Sequence, residues 1–231
     1  MLEGKRKYPE INASLFRWIL GILVCYGSLL VSSLIIFLFN IENLIIPALI
    51  MSFLSIMGAL IIDKNILRKL FLFLNFKDVI FVFVGLIISF IFIIFASFAA
   101  TYFKIGGEVN PIFGLLDKFS KSEFLISSAI QFIGEELMFV LPFLFVINKF
   151  KKTPKIIRVF LAVIISSLLF GALHIPTYNF NIVQALVLIG IVRTGITITY
   201  IFRKNLTVSY IVHFLYDWII ILMAIKYSPM W

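Results

Sequence analysis

The sequence predicts an all-α fold, a polytopic transmembrane helical bundle of about seven spans with its N-terminus cytoplasmic. Three observations predict it. Of 231 residues, 62% are hydrophobic and only 13% charged, with a mean hydropathy of +1.14. A soluble domain is about half apolar and about a quarter charged, so the excess apolar surface here faces lipid. Seven apolar runs are each long enough to cross a hydrocarbon core, which takes about 20 residues. The basic residues gather at alternate ends of those runs.

The spans run about 19–39, 44–62, 79–103, 122–147, 158–175, 182–202 and 206–225. Lys5, Arg6 and Lys7 ahead of the first run resemble the start of a signal peptide. The run is too long for a signal core and no small-x-small cleavage site follows, so it reads as the first span. The polar stretch 104–121, with Gly106, Gly107 and Pro111, reads as a loop. Two regions follow from this layout: 1–118 with three spans, and 119–231 with four.

Charge supports the same count. With the N-terminus inside, the inner segments carry Lys5, Arg6, Lys7 and Arg17, then Lys64, Arg68, Lys69 and Lys77. Further on they carry Lys149, Lys151, Lys152, Lys155, Arg158, Arg203 and Lys204. The outer side holds only Lys104, Lys118, Lys121 and Lys226, the bias expected of cytoplasmic loops. Trp18, Tyr102, Tyr178 and Trp231 fall near span ends, where interface anchors belong. The net charge of +9 forms no continuous basic face, and no zinc-finger spacing is present, which argues against nucleic acid. The single cysteine, Cys25, excludes an intramolecular disulfide and sits in an apolar run with no charged neighbour.

Ionisable residues inside spans are costly, at least ~2.5–3.5 kcal/mol each on insertion scales, and usually mark a functional interior. Here they are confined to the last four spans: Glu135 and Glu136, His174, Arg193, and His213 with Asp217. At a rise of about 1.5 Å per residue, Glu135 lies about 20 Å from Asn148, His174 about 24 Å from Arg158 and His213 about 15 Å from Arg203. All three depths fit one layer in the middle-to-outer membrane.

Spacing adds detail. Phe170 with His174, and His213 with Asp217, are i,i+4 pairs that share a helix face. Asp217 therefore orients the His213 ring or adds an oxygen ligand. Glu135 and Glu136 point about 100° apart, so one faces a cleft while the other supports it. Two imidazoles with carboxylates suit a divalent ion such as zinc, held by His174, His213 and Glu135, which would activate water. Without an ion, a buried Glu serves as general base with His as its partner. Both routes end in hydrolysis. The structural alternative is a hydrogen-bonded polar network joining helices.

At these residues the chain resembles the CPBP family of intramembrane proteases, named for CAAX-protease and bacteriocin-processing enzymes and also called Abi. The family pattern is Glu-Glu-x-x-x-Arg, then Phe-x-x-x-His, then His-x-x-x-Asn/Asp. Glu135-Glu136 opens the first element, Phe170 to His174 is the second and His213 to Asp217 the third. The resemblance covers roughly 120–225. It implies a helical membrane enzyme that cleaves a membrane-associated peptide or protein. Glu135 would activate water, and His174 and His213 would act as metal ligands or oxyanion partners. In a bacterial cytoplasmic membrane the implied role is processing of a bacteriocin or pheromone, or self-immunity. The family Arg is replaced by Val140, and Arg193 from the sixth span is the expected substitute partner for Glu136. Pro142 is placed to kink the fourth span. Two other functions compete: a non-catalytic scaffold or immunity protein, and an ion-coupled transporter, which the lack of an inverted repeat disfavours.

Overall fold

Apolar runs of this length leave the backbone one way to satisfy its polar groups in lipid, which is the helix. The computed structural model describes residues 6–115 and 118–227. Among the described residues there is no strand, and seven helices are long and apolar enough to span a membrane. They are α1 (Leu15–Phe39), α2 (Ile45–Ile62), α4 (Phe76–Tyr102), α5 (Lys121–Lys149), α6 (Lys155–Leu173), a continuous Gln184–Arg203 segment, and α8 (Leu206–Tyr227). A short α3 (Ile66–Leu70) joins α2 to α4. The Gln184–Arg203 segment opens as a π-helix over Gln184–Ile189 and continues as α7 (Gly190–Arg203). Lys5 and Trp231 lie outside the described residues.

Local sequence sets the helix ends. Ser14 caps α1 by accepting from Arg17 N at 3.3 Å, and Ser120 caps α5 by accepting from Glu123 N at 3.2 Å. Asn75 and Asp78 form a reciprocal capping box on α4. α5 runs unbroken through Pro142. α6 stops at Leu173, with His174 as its C-terminal cap and Pro176 just beyond.

α5 is the axis of the bundle, buried on nearly every side from Phe132 to Asn148. It packs on α2, α6 and α8, while α4 lies across α7 and α8, and α1 lies on α2. Gly21 and Gly58 let α1 and α2 touch backbone to backbone, since a Cβ on either would stand 2.5 Å from the other's carbonyl oxygen. One core cluster draws on both halves of the chain, from Trp18, Cys25 and Met51 to Leu137, Phe143 and Tyr200. Trp18 is thus a core residue, fully buried and edge-on to Phe145 at 5.7 Å, not an interface anchor. Tyr178 is buried as well, whereas Tyr102 is exposed.

At the lysine-rich end, residues 6–14 form a strap across the bundle that hydropathy gave no reason to expect. Arg6 Nη1 lies 2.9 Å from both oxygens of Asp78, and Arg203 Nε donates to Asp78 Oδ1 at 2.7 Å. Asn148 Oδ1 accepts from Ile11 N at 3.0 Å, and Lys149 Nζ donates to Ala13 O at 2.7 Å. Tyr8 packs on Phe143 and Tyr200, and its hydroxyl reaches Ile201 O at 3.4 Å. Burial pushes that hydroxyl up to about 12, so it stays a neutral donor.

Candidate active site

Three helices, α5, α7 and α8, bring Glu135, Glu136, Arg193, His213 and Asp217 together. α5 and α8 are locked in register on both sides of the site. Tyr210 OH donates to Ala129 O at 2.7 Å, and Trp218 Nε1 donates to Ser128 Oγ at 2.8 Å. Between those two ties lie His213 and Asp217, facing the Glu pair of α5.

Glu136 is the buried member of that pair. Its Oε1 accepts from Arg193 Nη1 at 2.7 Å and from His213 Nδ1 at 2.9 Å. The Arg193 guanidinium carbon stands 4.5 Å from the Phe139 ring centre and 4.8 Å from that of Phe170. A desolvated guanidinium against aromatic rings is held by their quadrupoles as well as by packing. Arg193, on α7, is therefore the cation beside Glu136, while Val140, one turn along α5, is fully buried among apolar groups.

Glu135 points elsewhere, as expected for the next residue on a helix. Its Oε1 accepts from Gln131 Nε2 at 2.6 Å. Its Oε2 lies 3.7 Å from His213 Nε2, which sits 3.1 Å from Asp217 Oδ2. The His213 ring stacks on Phe132 with centroids 4.4 Å apart and planes inclined by 22°. Side-chain exposure rises from 0% at Glu136 through 12% at Glu135 to 30% at Asp217. The cluster therefore has a sealed inner face and an open outer one, with Glu135 and His213 at the boundary.

His174 stands apart. At the end of α6 its Nδ1 is 3.0 Å from Phe170 O, and its ring lies 4.9 Å from the Phe170 ring. A carbonyl only accepts, so Nδ1 is the donor in this contact. Among the described residues, no hydrogen bond or ion pair joins His174 to Glu135, His213 or Asp217. α6 ends just before His174, so this histidine sits at the helix end and not within the helix. Phe170 instead links the parts, touching both His174 and the Arg193 that holds Glu136.

Residues 119–219 match the model of the Rce1-like family, described as type II CAAX prenyl endopeptidase Rce1-like. That stretch contains every residue of the cluster. Over this stretch the chain is similar to the Rce1-like endopeptidases. The match leaves 1–118 and 220–231 outside it. No curated protein and no solved structure matches the chain. The ionisable cluster lies within the matched stretch and is the candidate active site.

Three features of this site escaped the sequence reading. Gln131, Phe132 and Phe139 each touch one of the predicted residues. Gln131 carried a usable signal, as a polar residue one turn before Glu135 in an apolar span. The two phenylalanines carried none among 27.

As for a metal, zinc would take three or four N and O donors in one tetrahedral group. Among the described residues, no group of three or more His, Cys, Asp and Glu side chains stands so placed. The donors Glu135, His174 and His213 do not fit an ion as arranged.

Proposed function

We propose that the chain is an intramembrane endopeptidase hydrolysing a peptide bond of a membrane-anchored substrate of the CAAX type, with Glu135 as general base. One observation carries this reading: Glu135 Oε2 faces the His213–Asp217 pair at the exposed edge of an otherwise buried charge cluster. A base must sit within reach of the water it activates, and Glu135 combines partial access with an imidazole close by that its Oε2 does not hydrogen-bond, whereas Asp217 is bonded to that imidazole.

In the proposed step, the water oxygen bonds to the scissile carbonyl carbon and its proton passes to Glu135 Oε2. The His213 ring, held through Nδ1 by Glu136 and through Nε2 by Asp217, stands beside the developing oxyanion. The C–N bond then breaks and the leaving amine takes the proton from Glu135. Asp217 keeps the His213 ring in plane for this task. Glu136 and Arg193 form the fixed charged floor beneath it. His174, at the end of α6, contacts the substrate chain at the open side. A divalent ion such as zinc would supply a water of lowered pKa. As Glu135, His174 and His213 form no single donor group, the steps above run on side chains alone.

The orientation we favour keeps the lysine-rich end cytoplasmic, following the positive-inside bias, in a bacterial cytoplasmic membrane. A secreted peptide such as a bacteriocin or pheromone precursor would reach the open side as a membrane-bound segment.

The test is cleavage of a prenylated Cys-a-a-X peptide, and of a membrane-anchored precursor, by purified protein in lipid. Wild-type cleavage lost on Glu135→Gln supports the reading, and cleavage that survives Glu135→Gln refutes it. Insensitivity to o-phenanthroline fits the side-chain route, and inhibition reversed by zinc assigns the ion instead.

A further inference from the structure

Gln131 is a polar side chain in the first half of α5, half-buried and one turn before Glu135. Its amide Nε2 donates to Glu135 Oε1 at 2.6 Å, a short bond of the charge-assisted kind. It makes no other side-chain hydrogen bond among the described residues. The neighbouring Phe132 lies one turn before Glu136 and stacks on His213. The same turn of α5 thus meets both groups whose mutual geometry decides the reaction.

The two oxygens of Glu135 are consequently not equivalent. One is tied to an amide on its own helix. The other lies 3.7 Å from His213 Nε2, beyond hydrogen-bond distance, so its lone pairs stay available. A glutamate has three rotatable bonds and on an exposed helix face samples many rotamers. Tethering one oxygen to the Gln131 amide restricts that freedom and aims the other oxygen at the site boundary. Effective molarity depends on such orientation, and a displacement of about 1 Å costs on the order of 100-fold in rate.

We propose that Gln131 is a positioning residue, which fixes the Glu135 carboxylate so that Oε2 alone faces the attacking water. The proposal rests on the protease reading above and assigns that site a part it did not contain. It concerns the turnover step, since Gln131 reaches Glu135 and no other member of the cluster.

The experiment measures kcat and KM separately on a fluorogenic prenylated Cys-a-a-X peptide in lipid nanodiscs, alongside thermal unfolding. Gln131→Leu keeps the shape and removes the donor. It is expected to lower kcat about 10- to 100-fold with KM and the unfolding midpoint unchanged. Gln131→Lys, which restores an N–H donor toward Oε1, recovers most of kcat. In a Glu135→Gln background, Gln131→Leu has no further effect. Wild-type kcat in Gln131→Leu overturns the proposal while leaving the role of Glu135 intact. So does a fall in kcat matched by a fall in unfolding midpoint, or one that Gln131→Lys fails to restore. A wild-type chain that cuts no anchored peptide removes the protease reading and this proposal together, and is recognised because Glu135→Gln then changes nothing.

Discussion

Arg193 on α7 places its Nη1 2.7 Å from Glu136 Oε1 on α5, where the family pattern would put the arginine one turn along α5 itself. Both side chains are essentially unexposed. The guanidinium arrives from a different helix, yet occupies the same electrostatic relationship to the buried carboxylate. Its contacts with Phe139 and Phe170 show how the new route is held, by two rings on α5 and α6.

Removing one partner of a buried ion pair leaves an uncompensated charge, at a cost of about 3–5 kcal/mol. Arg193→Leu is therefore expected to lower stability by that amount, read from equilibrium unfolding in mixed detergent micelles. Adding Val140→Arg to Arg193→Leu returns a guanidinium within i,i+4 reach of Glu136 and should recover part of the loss. Val140→Arg alone has no vacant space to enter and should destabilise the wild type, because Val140 is fully buried.

Glu135→Gln keeps an acceptor for Gln131 and changes little packing at 12% side-chain exposure. Loss of a general base costs about 10²- to 10⁴-fold. Peptide cleavage should fall by that factor while the unfolding midpoint holds. Asp217→Asn, which weakens only the orientation of His213, should cost less than Glu135→Gln in the same assay.

The seven spans were legible because hydropathy and loop charge report the same physical constraint from opposite sides. His213 with Asp217 was legible as an i,i+4 pair, and Arg193 as a lone cation in an apolar helix. His174 was harder, because an apolar run does not reveal where its helix stops, although Pro176 marks the place. Trp18 was misplaced, since an indole near a span end suits the lipid interface and the core equally well. The π-turn at Gln184–Ile189 has no periodic signature of its own. It lies where α6 approaches closely, for a Cβ on Gly171 would meet Ala185 O at 2.4 Å.

Phe132 supports the His213 ring face to face at 4.4 Å. Phe132→Leu should free that ring and reduce cleavage several-fold, with a modest stability loss of about 1 kcal/mol for the aromatic pair. Phe132→Tyr, which preserves the ring, should retain activity. Comparing the two variants at matched expression checks the assignment.

Asp78 gathers Arg6, Arg203 and the α4 cap around one buried carboxylate. Asp78→Ala should release the strap and leave two guanidiniums unpaired. Limited trypsin digestion reads this directly, with cutting at Arg6 and Lys7 faster than in wild type. Unchanged cutting would mean that Asn148 and Lys149 suffice to hold the strap.

The same strap also sets an order of events during synthesis. Tyr8 contacts Ile201 across 193 positions, and Ile11 contacts Asn148 across 137. Chain leaves the ribosome from the N-terminus at about 5–20 residues per second. Residues 6–14, made before α5 and α7, must therefore wait for both before they find their partners. Docking of residues 6–14 is a closing step of assembly, and it completes only when the helix that carries Arg193 is in place.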